Sequence, residues 1–354
     1  MSEKVLMKGN EALAESAIRA GCRFFFGYPI TPQTELAAYM SKRMPKEGGT
    51  YLQAESEIAA INMVYGASAA GARVMTSSSS PGISLKTEGI SYMIGADLPG
   101  VIINVQRGGP GLGSIQPSQA DYWQATRALG HGDGHVIVLA PSTVQEMADL
   151  AYGAFDLADE YRTPVMILAD GMLGQMMEPV VLPERREELP EKPWAVTGHK
   201  GQRPHNVVNS LYLTADDLEY HVVEREKRYD IIRREEQRAE CVMTEDAEIV
   251  VVAFGASARI ARSAVVQARE KGIKAGLVRP ITLWPFPQDA VAATLSTAKA
   301  YLSVEMSMGQ MIEDVRLAVH DRVPVEFCGR TGGVIPTPAE VLAKLEEMNA
   351  KGGE

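Results

Sequence analysis

Cysteine is scarce in this chain, and what there is lies scattered. Cys22, Cys241 and Cys328 are the three cysteines of 354 residues, a spacing that builds neither a disulfide framework nor the clustered thiolates that hold iron and sulfur. No iron–sulfur cluster is therefore expected within it. A long uninterrupted apolar span is missing, and so is a secretory signal pattern, so the sequence reads as soluble and cytoplasmic. Basic excess is absent as well: 35 Lys and Arg stand against 45 Asp and Glu, a formal net charge of −10 that argues against a general nucleic-acid surface. The glycine-rich loop GGPGLG (Gly108 to Gly113) has neither the lysine of a phosphate loop nor dinucleotide-fingerprint spacing, which removes a nucleotide site from consideration.

What is present is alternation. Strand-like runs at Arg23 to Phe26, Arg73 to Thr76, Gly100 to Val105, His135 to Leu139 and Pro164 to Leu168 are interleaved with helical runs at Ala12 to Ala20, Glu57 to Ala70 and Val144 to Glu160. Such alternation predicts a mainly parallel sheet covered by helices on both faces. From Pro183 to Lys200 the composition turns to Pro, Glu, Lys and Arg, as in a linker, and Asp216 to Glu240 reads as a charged, solvated helix. A second alternating unit has strands at Glu248 to Gly255, Gly276 to Pro280, Tyr301 to Met306 and Pro324 to Phe327, with helical Ser257 to Lys271, Pro287 to Leu295 and Gln310 to Ala318. The expected organisation is α/β with two doubly wound domains, at residues 1–182 and 245–354, joined by a charged segment at 183–244.

One carboxylate stands out. Glu57 leads the apolar helical run Ile58 to Gly66, and a carboxylate is costly to bury unless something receives it. Either Glu57 and Glu55 merely face the positive end of a helix, or Glu57 serves chemistry. Three strand ends supply possible company. FFFG leads into Tyr28-Pro29-Ile30-Thr31-Pro32, where two prolines fix the backbone around Thr31; RVMT leads into the hydroxyl-rich turn SSSSPG; and GVIINVQ delivers Arg107 into its glycine-rich loop. Open α/β sheets bind ligands at the ends of strands, although any one of these could be an ordinary turn.

The segments YPITP (Tyr28 to Pro32), QAESEIAAINMVYGAS (Gln53 to Ser68), TSSSSPGISLKTEGISYM (Thr76 to Met93), NVQRGGPGLG (Asn104 to Gly113) and ILADG (Ile167 to Gly171) together resemble the α-subunit of thiamine-diphosphate-dependent 2-oxoacid:ferredoxin oxidoreductases. The resemblance spans nearly the whole chain and is greatest to the branched-chain, 2-oxoisovalerate type. It implies a pyrimidine-binding domain followed by a transketolase C-terminal-like domain. In such enzymes a carboxylic acid at pyrimidine N1′ promotes loss of the thiazolium C2 proton to the cofactor's own amino group, a role best filled in a dry site. By resemblance, Glu57 is that catalytic acid, with Glu55 next in line. Tyr28, Pro29 and Ile30 join Glu57 around the cofactor, and Thr31 and Arg107 line the 2-oxoacid pocket, the guanidinium suiting a carboxylate.

The same resemblance places the diphosphate and Mg2+ on a β-subunit, and 4Fe-4S clusters on partner subunits that include a ferredoxin-like δ chain beside a γ chain. Coenzyme A and ferredoxin are the co-substrate and electron acceptor, and the acidic charge of this chain points to docking of an acidic carrier elsewhere. Gly132-Asp133-Gly134 looks like the start of a metal–diphosphate motif, but no asparagine occurs between Asn104 and Asn206 to complete it. His131 and His135 sit on a glycine-rich turn and read as loop residues. Arg73 and Arg127 are candidates for a second carboxylate clamp, as a 2-oxoglutarate enzyme would need. Glu305, Gly309 and Gln310 fall where strand meets helix and read as interface-shaping. The alternatives to a branched-chain oxidoreductase are a 2-oxoglutarate one, a non-oxidative thiamine enzyme half and a non-catalytic assembly subunit.

Overall fold

A computed structural model describes residues 4–351. Its larger sheet has seven strands in the order Thr282–Trp284, Ile137–Leu139, Pro164–Asp170, Gly100–Gln106, Val74–Ser78, Phe24–Gly27, Thr50–Gln53. All neighbours are parallel except the pair of Thr282–Trp284 with Ile137–Leu139. The central strands Val74–Ser78, Gly100–Gln106 and Pro164–Asp170 are buried along their whole length, as strands covered on both faces must be. One face carries helices Gly9–Arg19, Thr34–Arg43 and Val144–Tyr161; the other carries Glu57–Ala69 and Ser80–Gly95. Lys4–Lys8 and Met177–Val181 pair antiparallel as a separate ribbon.

The second sheet has five strands in the order Val325–Gly329, Ala300–Glu305, Ile249–Val252, Ala275–Pro280, Ala239–Val242. Helices Gly255–Glu270 and Pro338–Lys351 cover one face. The opposite face, with Val250, Val252, Val278 and Tyr301, shares one continuous apolar core with Ile61, Ile83, Ile90 and Met166 of the first unit. The doubly wound α/β expectation holds for both units, with added stitching between them. Thr282–Trp284, from the second half of the sequence, joins the first sheet, while Ala239–Val242 precedes the second alternating unit yet pairs into its sheet.

Two segments differ from their sequence reading. The charged helix runs Ala215–Glu235 and is not simply solvated: Arg225, Tyr229 and Ile232 are buried, and both Arg225 and Arg228 bond to Asp97. The stretch at 183–200 has no regular structure but is anchored, through Arg186 N to Arg19 O at 2.8 Å, Lys192 Nζ to Asp159 at 2.5 Å and Arg162 over the Trp194 ring. No helix among the described residues is long and apolar enough to cross a membrane.

Candidate active site

Parallel pairing settles where the chemistry-bearing residues go. Because strands Pro164–Asp170, Gly100–Gln106, Val74–Ser78, Phe24–Gly27 and Thr50–Gln53 run side by side in one direction, the residues that follow them emerge at one edge. Glu57, the Tyr28–Pro32 turn, the serine cluster, Arg107 and Gly171 are therefore neighbours in space although far apart in sequence.

Glu57 is the first residue of helix Glu57–Ala69, whose N-cap Ser56 accepts a hydrogen bond from Ala59 N at 3.2 Å. It is buried at 6% exposure, whereas Glu55 two residues earlier is exposed. That contrast separates the two acids. The Glu57 carboxyl packs on Gly82 of helix Ser80–Gly95: a Cβ built there would lie 2.6 Å from Glu57 Oε1 and 2.1 Å from Ser78 Oγ. The backbone thus comes close only because position 82 has no side chain. The hydroxyls of Ser78 and the adjoining Ser79 are buried and have no hydrogen-bond partner among the described residues.

Arg107 is also buried, at 7% exposure. Its Nη1 donates to Thr31 O at 3.1 Å and its Nη2 to Leu112 O at 2.9 Å, so the guanidinium braces the proline turn against the glycine-rich loop. The Nε–H is left without an acceptor among the described residues. Thr31 itself is exposed, as are Tyr28 and Pro29, while Ile30 is half-buried. Gln33 holds this turn from beneath: its Nε2 donates to Tyr28 O at 3.3 Å, and its Oε1 accepts from Ser77 Oγ at 2.7 Å. Ser80 donates to Asp121 at 2.6 Å and accepts from Arg107 N at 3.0 Å. Asn104 adds a 2.9 Å bond to the same Asp121 carboxylate, whose pKa burial raises.

Sequence reasoning overlooked Gln33, Asn104, Asp121 and Lys86, and took Ser80 only as part of a hydroxyl-rich turn. Lys86 is wholly buried, donates from Nζ to Thr76 Oγ1 at 2.9 Å, and has its pKa lowered by burial to about 8 against the opposing pull of Glu57. The glycines at 82 and 89, which pack on Glu57 and Ile61, were the available signal that this face of the helix turns inward.

Other candidates are spent elsewhere. Arg73 bonds to Asp156, Asp159 and Ala20 O, and Arg127 pairs with Glu313 and Asp314, so neither serves as a second carboxylate clamp. Glu305 accepts from the hydroxyls of Ser303 and Ser307 and from the backbone N of Gln310, Met311 and Ile312, which caps helix Met311–Val319. Gln310 reaches Trp123 N and Ala120 O across the two units, and Gly309 adopts a positive φ of 95°. His135 is no plain loop residue: it stacks on Trp284 at 4.5 Å between ring centroids and meets the edge of Tyr229. His131, Gly132 and Asp133 are exposed, and no group of three or more His, Cys, Asp and Glu among the described residues could hold a metal ion.

Comparison with known proteins finds relatives over nearly the whole chain. Residues 15–246 match the family model "Pyruvate flavodoxin/ferredoxin oxidoreductase, thiamine diP-bdg", and residues 247–341 match "Pyruvate:ferredoxin oxidoreductase core domain II". Ketoisovalerate oxidoreductase subunit VorB of Methanothermobacter marburgensis is 51% identical over 97% of each chain. The 2-oxoglutarate synthase subunit KorA of Methanothermobacter thermautotrophicus is 39% identical over 99% of this chain and 100% of its own. The structure of 2-oxoglutarate:ferredoxin oxidoreductase from Magnetococcus marinus with 2-oxoglutarate, coenzyme A and succinyl-CoA bound superposes with a TM-score of 0.86 at 26% identity, over 98% of this chain and 65% of that one. With a matching family model over most of its length and full-length relatives at this identity, the chain belongs to the 2-oxoacid:ferredoxin oxidoreductases, as a subunit bearing their thiamine-diphosphate-binding domain.

Proposed function

We propose that this chain is the α-subunit of a complex that oxidatively decarboxylates a branched-chain 2-oxoacid, of the 2-oxoisovalerate kind, with coenzyme A to acyl-CoA and CO2, and passes the electrons to ferredoxin. The observation that carries the reading is Glu57, a buried carboxyl at a helix start, packed on Gly82 with the Ser78 hydroxyl beside it, which has no hydrogen-bond partner among the described residues. These residues fit the pyrimidine half of thiamine diphosphate, which needs one carboxyl at N1′ in a dry site. When bound, that cofactor supplies the nucleophilic carbon and the electron sink. What this chain adds is a proton held at Glu57, a turn of Tyr28, Pro29 and Ile30 beside the ring, and Thr31 and Arg107 for the 2-oxoacid. The unsatisfied Nε–H of Arg107 suits the substrate carboxylate.

A β-subunit bearing the diphosphate and Mg2+ closes the site, and γ and δ subunits carry the 4Fe-4S clusters and the electron path. Exposed apolar side chains at Tyr28, Leu52, Ile58, Leu85, Leu112 and Trp123 support a partner on this face, since a monomer seldom leaves so many together in water. Consumption of Arg73 and Arg127 in ion pairs favours a substrate with one carboxylate over a dicarboxylate. The residue ranges 1–182, 183–244 and 245–354 serve as the functional divisions, in a cytoplasmic complex.

Glu57→Gln in the assembled complex keeps shape and removes the ionisable proton. Exchange of the cofactor C2 proton should slow by roughly 100- to 10,000-fold while cofactor still binds; exchange near the wild-type rate would move the role to Glu55. Turnover of 2-oxoisovalerate should exceed that of 2-oxoglutarate and pyruvate, and a preference for 2-oxoglutarate would reject the branched-chain assignment.

A further inference from the structure

The turn at Tyr28–Pro32 carries two prolines, which have no N–H to give, so its carbonyls depend on donors from elsewhere in the chain. Two of those donors belong to Gln33 and Arg107, on Tyr28 O and Thr31 O. The third is Asn10, whose Nδ2 donates to Pro32 O at 2.9 Å. Asn10 is the second residue of helix Gly9–Arg19 and is wholly buried. Its Nδ2 also lies 3.3 Å from Glu35 Oε2, and since the carbonyl and the carboxylate can only accept, the amide must face them with nitrogen.

This amide is closely enclosed. A Cβ built on Gly174 would lie 3.1 Å from Asn10 Oδ1 and 3.2 Å from its Nδ2, and Gly9 N donates to Met176 O at 3.0 Å, so the helix start is seated on the short helix Gly171–Gln175. The Oδ1 atom has no hydrogen-bond partner among the described residues. Burying a bare amide oxygen is costly, and a leucine would fill much the same space without that penalty. What leucine lacks is a donor for Pro32 O. Gln175 Nε2 lies 3.4 Å from the same oxygen but is closer to Glu35 Oε2, at 2.9 Å. Asn10 therefore makes the shortest bond to a carbonyl that directly follows the one held by Arg107, and Thr31, exposed at the site, stands between the two.

We propose that Asn10 is a positioning residue for the 2-oxoacid: by donating to Pro32 O it fixes the turn that presents Thr31, from the helix side, while Arg107 fixes Thr31 O from the strand side. The inference rests on the reading that Thr31 and Arg107 receive the substrate. Asn10 touches neither substrate nor cofactor. Its effect passes through the backbone of Thr31 and Pro32, where a small displacement of a binding group weakens binding without altering the chemistry at the cofactor.

The test compares Asn10→Leu and Asn10→Asp with the wild type in the assembled complex. Asn10→Leu removes the donor and keeps the bulk, so the KM for a 2-oxoacid should rise about three- to tenfold, the scale of one lost hydrogen bond, at every pH. The rise should be equal for two acids of different side chain, with kcat and cofactor C2 exchange near wild type. Asn10→Asp keeps the shape and makes the donor depend on a proton. The charged groups about it are Glu35 and Lys8, paired at 3.4 Å, and Glu11, which accepts from Lys8 N at 3.3 Å. Burial works against the Glu35 anion, but bonds from Gln175 and Lys8 outweigh it and hold that carboxyl below its ordinary value. An aspartic acid placed beside that anion in a buried site takes up its proton more readily than in water, and only the protonated form can donate to Pro32 O. The ratio of variant to wild-type KM should thus approach one at low pH and climb as pH rises. A ratio that stays constant with pH, or a fall in C2 exchange matching the rise in KM, would make Asn10 a packing residue and overturn the proposal. If Thr31→Val and Arg107→Lys raise KM and the Asn10 variants do not, this proposal alone fails; if Thr31→Val binds the 2-oxoacid as wild type does, the reading beneath it fails and the proposal with it.

Discussion

At the scale of single residues the site depends on which polar groups are already satisfied. Arg107 spends Nη1 and Nη2 on the carbonyls of Thr31 and Leu112, so it holds two loops while offering Nε to a ligand. Arg107→Lys keeps the charge but cannot span both carbonyls and a carboxylate with one compact ammonium. The KM for a 2-oxoacid should therefore rise, and by the same factor for two acids of different side chain, while C2 exchange stays close to wild type. Steady-state kinetics of the mutant complex check this, and an unchanged KM for both would leave Arg107 a loop brace only. Glu57 and Arg107 were legible in the sequence because their motifs are, and burial then separated Glu57 from Glu55. Lys86 was not: a lysine within a helix ordinarily faces water, and only the packing of Gly82 and Gly89 reveals that this one cannot.

At the scale of elements, helix Ser80–Gly95 approaches helix Glu57–Ala69 because two of its inward positions are glycine. Gly82→Ala should gain about 1 kcal/mol of helix propensity, yet its methyl group would collide with Ser78 Oγ and Glu57 Oε1. Overpacking of this kind costs about 1–3 kcal/mol, so the chain should still fold, slightly destabilised, with the carboxyl displaced. Urea titration together with C2 exchange should show a small stability change and a large loss of exchange. Wild-type exchange would mean the carboxyl lies elsewhere in the working enzyme. The long buried strands and amphipathic helices could be read from periodicity, but Thr50–Gln53, Ala239–Val242 and Thr282–Trp284 could not. Each is a short strand at a sheet edge, and its place is decided by which partner is free to accept its hydrogen bonds.

At the scale of the whole molecule the two units are not independent. They exchange strand Thr282–Trp284, share an apolar core, and are tied by Gln119, which donates to Phe254 O at 2.8 Å and accepts from Ser257 Oγ at 2.6 Å and Met306 N at 3.1 Å. The full chain should therefore unfold in one step, with coincident urea curves from far-ultraviolet circular dichroism and tryptophan emission. Two separated transitions would show that the shared core contributes little. Two doubly wound units were visible as alternation in the sequence, but their union was not, since pairing between distant edges leaves no local pattern. That union also has an optical consequence. Trp284 lies face to face with His135, with Tyr229 at its edge, so three segments meet on one indole ring. Burial lowers the pKa of that imidazole, which keeps it uncharged and a weak quencher near neutral pH. The emission of Trp284 is thus a built-in gauge of the junction, sensitive to any event that lifts the exchanged strand away from the first sheet.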